Sequence, residues 1–199
     1  MSEYLNNIYK ADDLRDYYDR WADTYDTDLT GNGYATPGRC ADALAQYLDD
    51  RDTPILDFAC GSGLSGVALA DKGFTRIDGT DISPAMLEKA RETGVYRTLF
   101  ENSEDRIEIE PGIYRAIVAA GAISVGAAPP SFMTPLADLL PKGGLFVMSF
   151  NGHTLETEEY PAALKTEQDE GRLQLLFEEE GVHVPGINLR STVYALRRM

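Results

Sequence analysis

Basic residues and cysteines are scarce in this 199-residue chain. Its 18 lysines and arginines are set against 33 aspartates and glutamates, leaving a net charge of −15. Nucleic acids and anionic membranes are held largely by cationic contacts to phosphate. Both are therefore poor partners for this chain, and a small molecule is the expected one. The most basic stretch, Leu189-Arg190 to Arg197-Arg198, reads as a solvated strand end. The two cysteines, Cys40 and Cys60, form no CxxC pair, which argues against a disulfide framework or a zinc site and fits a reducing, cytoplasmic compartment. No metal is expected. No apolar run approaches the ~18 residues of a membrane-spanning helix, and the first twenty residues lack the apolar core of a signal peptide.

What is present is an alternation of helical and apolar segments. Leu14, Tyr18, Trp21 and Tyr25 fall on one face of a helix that begins near Asp12. Thr36 as N-cap and Pro37 as first helical residue announce a second helix carrying Cys40, Leu44 and Leu48 on one face. Strands are then expected at 54–59, 76–82, 96–101, 114–120, 145–150, 173–178 and 191–197. Helices are expected at 64–72, after Ser83-Pro84, at 131–140 and at 157–171. Near-continuous apolar strands alternating with helices predict an α/β fold: a mostly parallel seven-stranded sheet with helices on both faces and an N-terminal helical cap. The whole chain reads as a single domain, residues 1–50 forming the cap segment and 51–199 the core. In such sheets the ligand lies outside the carboxyl ends of the strands, where strand order reverses.

Directly after the first strand stands Gly61-Ser62-Gly63-Leu64-Ser65-Gly66, a GxGxxG opening a helix. The first glycine permits a tight turn, the second lets a ligand approach the backbone, and the third lets helix and strand pack closely. Asp81 ends the second strand 20 residues after Gly61, where a carboxylate can accept both hydroxyls of an adenosine ribose. These features fit a nicotinamide dinucleotide or S-adenosylmethionine. Asp57, inside the first strand, favours the second, because a buried carboxylate needs a cationic partner. No tyrosine here is followed four residues later by lysine, and 199 residues leave no room for a second catalytic domain, so a dehydrogenase is disfavoured.

The stretches ILDFACGSGLSG, GTDISPAMLEKAR and PKGGLFVMSF resemble the first, second and fifth-strand motifs of class I S-adenosylmethionine-dependent methyltransferases. Together with YYDRWADTYD, the lone Tyr34 before a Pro-led helix, GVYRTLF and VAAGAISVGAAPP, the chain from Tyr17 to Leu176 resembles the Williams–Beuren-region methyltransferase-like proteins. The resemblance implies a Rossmann-like fold that binds S-adenosylmethionine and leaves S-adenosylhomocysteine. It implies that Asp57 orients the methionine ammonium, directly or through water, and that Ala59, Cys60, Gly61 and Gly63 line the loop beneath methionine and ribose. Asp81 would hold the ribose hydroxyls and Ile82 would pack on the adenine. Asn102 or Ser103 would meet the adenine edge, and Ala120 and Gly121 would face the sulfonium. The family commonly has glycine where Ala59 stands, aspartate where Asn102 or Ser103 stands, and an acid where Arg115 stands.

Methyl transfer from a sulfonium demands alignment and exclusion of water more than a dedicated catalytic group, and no catalytic residue is assigned. Tyr25 and Tyr34 are the expected cap tyrosines of the cofactor site, since an aromatic face attracts a sulfonium. The alternative for Tyr18, Trp21 and Tyr25 is a core stripe. Ser124, Asn151 and His153 follow the fourth and fifth strands and are the candidates for touching substrate. His183 reads as an ordinary residue of a turn, and Glu178-Glu179-Glu180 as a solvated hairpin. The leading reading is methyl transfer to a small-molecule acceptor. Its rivals are a non-catalytic S-adenosylmethionine-binding sensor or partner subunit, and a nicotinamide-binding protein.

Overall fold

The computed structural model describes residues 13–103 and 106–199. Asp12, the expected start of the cap helix, lies outside them. Helix α1 (Leu14–Gly31) is capped by Asp13, whose carboxylate accepts from Asp16 N at 2.9 Å, and α2 (Thr36–Tyr47) follows. The core then runs β1 (Ile55–Phe58), α3 (Leu64–Asp71), β2 (Ile77–Asp81), α4 (Pro84–Glu92), β3 (Tyr96–Glu101) and β4 (Ala116–Ala119). After a 3-10 turn come α5 (Met133–Leu139), β5 (Leu145–Asn151), the single turn α6 (Gly152–Leu155), α7 (Glu159–Asp169), β6 (Leu173–Val184) and β7 (Leu189–Arg198).

The sheet order is β3-β2-β1-β4-β5-β7-β6. Strands β1 to β5 pair in parallel, and β7 runs antiparallel between β5 and β6. The mostly parallel seven-stranded sheet is as expected. The period of two sorts the strand residues onto two faces. Ile55, Ala116, Val118, Leu145, Val147 and Ala195 pack under α2 and α3, against Cys40, Leu44 and Leu69. Leu56, Phe58, Ile117, Phe146, Met148 and Phe150 pack on the other face, against Met133 and Leu136 of α5 and Leu164 of α7. Each fully buried side chain of this size stabilises the fold by ~1.5–3 kcal/mol relative to exposure, so the central strands form the rigid floor of the site.

Two local expectations change. Thr36 does not cap α2: Ala35 holds the cap position without a side-chain hydrogen bond, and the Thr36 hydroxyl instead meets His183 and Ser191. Strand β6 extends to Val184, beyond the expected 178, and Glu178, Glu179 and Glu180 lie exposed on the edge strand of the hairpin it forms with β7, solvated as expected. Charges on an edge strand discourage pairing with another chain. Arg115 precedes β4 at the amino end of the sheet, away from the carboxyl ends where a ligand is expected.

Candidate functional site

Strand order reverses between β1 and β4, so the loops that leave their carboxyl ends part and open a crevice. A cavity of about 200 Å³ lies there. Its floor is the loop after β1. Ala59 and Gly61 adopt left-handed backbone, at φ 52° and 55°. A Cβ on Gly61 would meet nothing nearer than the Tyr25 hydroxyl at 3.9 Å, so this loop presents bare backbone to the cavity. Ala59 holds the left-handed conformation with the smallest side chain that has a Cβ.

Asp81, at the tip of β2, is buried and lines the cavity. Its Oδ2 accepts from Gly61 N at 2.8 Å and its Oδ1 from Ser83 N at 3.0 Å. A carboxylate has about four acceptor positions, so the backbone leaves part of that capacity for a ligand. Ile82, Asn102 and Ser103 continue the same wall, Asn102 N being held by the Asp81 carbonyl at 2.9 Å. Ala120 and Gly121, after β4, form the opposite wall. Gly121 N donates to Ser149 Oγ at 2.8 Å, and a Cβ on Gly121 would sit 2.8 Å from the Tyr34 hydroxyl. Glycine is needed here both for its φ of 70° and to admit that tyrosine.

Helix α1 closes the crevice from above. Ser83 Oγ donates to Asp19 and Ser62 Oγ to Asp26, which fastens the helix to the loops after β2 and β1. Tyr18 and Tyr25 thereby face the cavity, while Trp21 is buried and donates its indole N–H to Asp28 at 2.8 Å. Trp21 is thus the most buried of the three, while its two neighbours reach the wall of this cavity.

A second cavity of about 80 Å³ adjoins the first, and Tyr18, Tyr25, Tyr34 and Gly121 line both. Ser124 and Asn151 line this second space. Ser124 Oγ donates to the Gly121 carbonyl at 3.0 Å, and Asn151 Oδ1 accepts from Thr154 N at 2.9 Å. His153 lines neither cavity, because α6 turns it outward to an exposed position. His183 does line the second cavity and is buried, contrary to its reading as a turn residue.

Asp57, Cys60 and Gly63 are not brought to the wall of the larger cavity. A Cβ on Gly63 would meet Thr93, Ala90 and Tyr96 at 3.0–3.2 Å, so this glycine admits α4 rather than a ligand. Cys60 is buried with Leu87 and Ala90 of the same helix. Asp57 is 1% exposed, and its Oδ2 accepts from Ser65 Oγ and Tyr96 Oη, both at 2.6 Å. Direct contact with a ligand is therefore not offered. Asp57 Oδ1 is buried without a hydrogen-bond partner among the described residues, which suits a bridging water. Gly66 N is held by Tyr96 Oη at 3.1 Å, and a Cβ on Gly66 would overlap that ring at 2.3 Å. The third glycine of the motif thus admits a tyrosine of β3. Tyr96 carries no local signal, since only the tertiary fold sets it 39 residues away against Asp57.

Burial dominates the electrostatics. It pushes the carboxyls of Asp57 and Asp81 up to about 6, against the pull of their hydrogen bonds. Burial also raises the phenols of Tyr25 and Tyr34, which stay neutral at physiological pH. An ionised Asp81 beside bare loop backbone, with an apolar wall toward Asn102 and two neutral phenols at the far end, fits a nucleoside with a free ribose and a cationic tail.

Residues 55–144 match a family model described as a methyltransferase domain. The chain is 33% identical over 157 residues to methyltransferase-like protein 27 of Homo sapiens, a stretch covering 77% of this chain and 63% of that protein. It is 39% identical over 88 residues to the 18S rRNA (guanine-N(7))-methyltransferase of Bos taurus, covering 43% of this chain and 30% of the relative. The chain therefore spans less than two thirds of either relative. In fold it is similar to the solved magnesium protoporphyrin IX methyltransferase from Synechocystis PCC 6803 with bound SAH. The TM-score is 0.70 at 16% identity, over 94% of this chain and 98% of that one.

Proposed function

Because the chain belongs to the class I S-adenosylmethionine-dependent methyltransferases, we propose that residues 13–199 act as one domain that transfers a methyl group to a small, uncharged acceptor. The observation that carries this reading is the larger cavity at the switch point, with buried Asp81 on one wall and Gly121 and Tyr34 on the other. In the proposed arrangement Asp81 accepts the ribose hydroxyls, and Ile82, Asn102 and Ser103 face the adenine. Ala59 and Gly61 supply backbone beneath the methionine. Ala120, Gly121, Tyr25 and Tyr34 flank the sulfonium, and Asp57 is reached through water. Bound S-adenosylmethionine supplies an electrophilic methyl whose departure leaves a neutral thioether.

The protein's own contribution is alignment and exclusion of water. Helix α1, fastened by Asp19 and Asp26, covers the site. The neutral phenols of Tyr25 and Tyr34 present oxygen dipoles and ring faces to positive charge without adding a full negative one. The cytoplasm remains the proposed location, in keeping with two buried free cysteines. No helix among the described residues is long and apolar enough to cross a membrane.

The 18S rRNA methyltransferase among the relatives keeps a macromolecular acceptor in view, and a cofactor-binding sensor is the second reading. Net charge and the small size of the adjoining cavity support a small acceptor. The test is formation of S-adenosylhomocysteine from S-adenosylmethionine on panels of neutral small molecules, peptides and RNA. Turnover on neutral small molecules is expected. Turnover confined to RNA or protein overturns the small acceptor, and cofactor binding without turnover on any class favours the sensor.

A further inference from the structure

Among the described residues, no Asp, Glu, Lys or Arg lines the smaller cavity. Trp21, Leu29, Val184, Ile187 and Leu189 give it apolar walls, and its polar groups beyond the shared tyrosines are Ser124, Asn151 and His183. Ser124 has its proton committed to the Gly121 carbonyl. The direction of the other two can be worked out from their partners.

Arg39 Nη1 donates to Ser191 Oγ at 3.0 Å. Ser191 Oγ lies 2.8 Å from Thr36 Oγ1, which lies 2.7 Å from His183 Nδ1. A guanidinium can only donate. Ser191 Oγ thus accepts from Arg39, and among the described residues the other group it meets is Thr36, so its proton goes to Thr36. Thr36 then gives its own proton to His183 Nδ1. Reversing the two inner bonds would strand the Ser191 proton without an acceptor among the described residues. The imidazole therefore accepts at Nδ1 and carries its proton on Nε2, on the edge away from Thr36. Burial beside Arg39 pushes its pKa down to about 4, so the ring stays neutral. Tyr34 packs edge-on to it, with centroids 5.2 Å apart. Asn151 points the same way chemically. Its Oδ1 is taken by Thr154 N and by Thr154 Oγ1 at 3.0 Å, leaving its NH₂ to donate.

We infer that the smaller cavity is the acceptor site, and that it takes an uncharged, largely apolar molecule whose oxygen or nitrogen lone pair is received by His183 Nε2–H and Asn151 Nδ2. The inference rests on the cofactor reading of the adjoining cavity, with which it shares Tyr25, Tyr34 and Gly121. His183 is a positioning residue here, not a general base, since its only lone pair is spent on Thr36. A carboxylate or ammonium in this space would lose its hydration with no counter-charge, which is strongly unfavourable.

Phenol and benzamide serve as neutral probes, with benzoate and benzylammonium as charged controls. They are titrated into the protein loaded with S-adenosylhomocysteine and followed by nitrogen NMR of labelled histidine. The expected result is an Nε2–H tautomer for His183 before addition, and a shift of Nε2 with the neutral probes alone. His183→Gln keeps a donor and holds phenol within about threefold of wild type, whereas His183→Phe keeps only bulk and weakens it roughly fivefold, as loss of one neutral hydrogen bond requires. Affinity for S-adenosylhomocysteine stays the same in both variants. An Nδ1–H tautomer, charged probes bound as well as neutral ones, or full phenol affinity in His183→Phe would overturn the inference. The wild-type tautomer decides even if a variant does not fold. Binding of S-adenosylhomocysteine with no neutral probe bound overturns this inference alone, while no binding of S-adenosylhomocysteine overturns the cofactor reading and this inference with it.

Discussion

Replacing Asp81 with asparagine acts on the loop and on the ligand at once. Both carboxylate oxygens already receive backbone donors, Gly61 N at 2.8 Å and Ser83 N at 3.0 Å. Asparagine keeps the shape but turns one oxygen into an NH₂, so one of the two backbone N–H groups then faces another donor. A buried donor left unsatisfied costs ~1–3 kcal/mol. For a chain of this size each kcal/mol moves Tm by about 2–4 °C, so Asp81→Asn melts roughly 2–12 °C below wild type. The lost charge acts separately on binding. A hydrogen bond to a charged group is worth ~1.5–3 kcal/mol, and losing the equivalent of one from the ribose raises Kd roughly 10- to 150-fold. Scanning calorimetry without ligand reads the first effect. Titration with S-adenosylhomocysteine, well below the melt, reads the second. A variant that melts early but binds with wild-type affinity would make Asp81 a purely structural carboxylate and refute its assignment to the ribose.

The pH dependence of binding follows from the raised carboxyls of Asp57 and Asp81. Their folded values, about 6, lie above the unfolded ones, so the stability they contribute is present below about pH 4 and lost as pH rises through 6. A ligand with ribose hydroxyls and an ammonium favours the ionised forms, so the rise in Tm produced by a fixed concentration of S-adenosylhomocysteine is larger at pH 7.5 than at pH 5; an equal or smaller rise contradicts this. Gly66→Ala places a methyl 2.3 Å from the Tyr96 ring and destabilises the protein by ~1–3 kcal/mol, measured by denaturant unfolding; an unchanged midpoint would mean that Tyr96 is not packed there. Gly121→Ala pushes against the Tyr34 hydroxyl at the junction of the two cavities and strains a left-handed position, so it lowers both Tm and affinity for S-adenosylhomocysteine, and retention of both contradicts the junction.

The floor of the site was legible because its signals are local. An apolar run, a turn that needs left-handed backbone and a strand-end acid lie within 27 residues, from Ile55 to Asp81. The walls followed from topology, since Asn102 and Ala120 had only to stand after parallel strands. What escaped is nonlocal. Thr36 before Pro37 has the form of a helix cap, but its hydroxyl is captured by His183, 147 residues away. His183 was obscured because β6 is an edge strand, whose exposed glutamates break the apolar pattern that marks a strand elsewhere. Tyr96 looked like an ordinary strand residue until packing set its hydroxyl on Asp57 and Gly66. His153 misled for the opposite reason: it follows the right strand, but one helical turn carries it outward. The departure at Arg115 has no bearing on the cavity, because that position lies at the other end of β4.

The most direct test of the cofactor assignment is calorimetric titration of the wild-type protein with S-adenosylmethionine, S-adenosylhomocysteine and NAD. The account predicts saturable one-to-one binding of both sulfur ligands and none of NAD. Binding of NAD in competition with them, or no binding of either sulfur ligand to the folded protein, would contradict it.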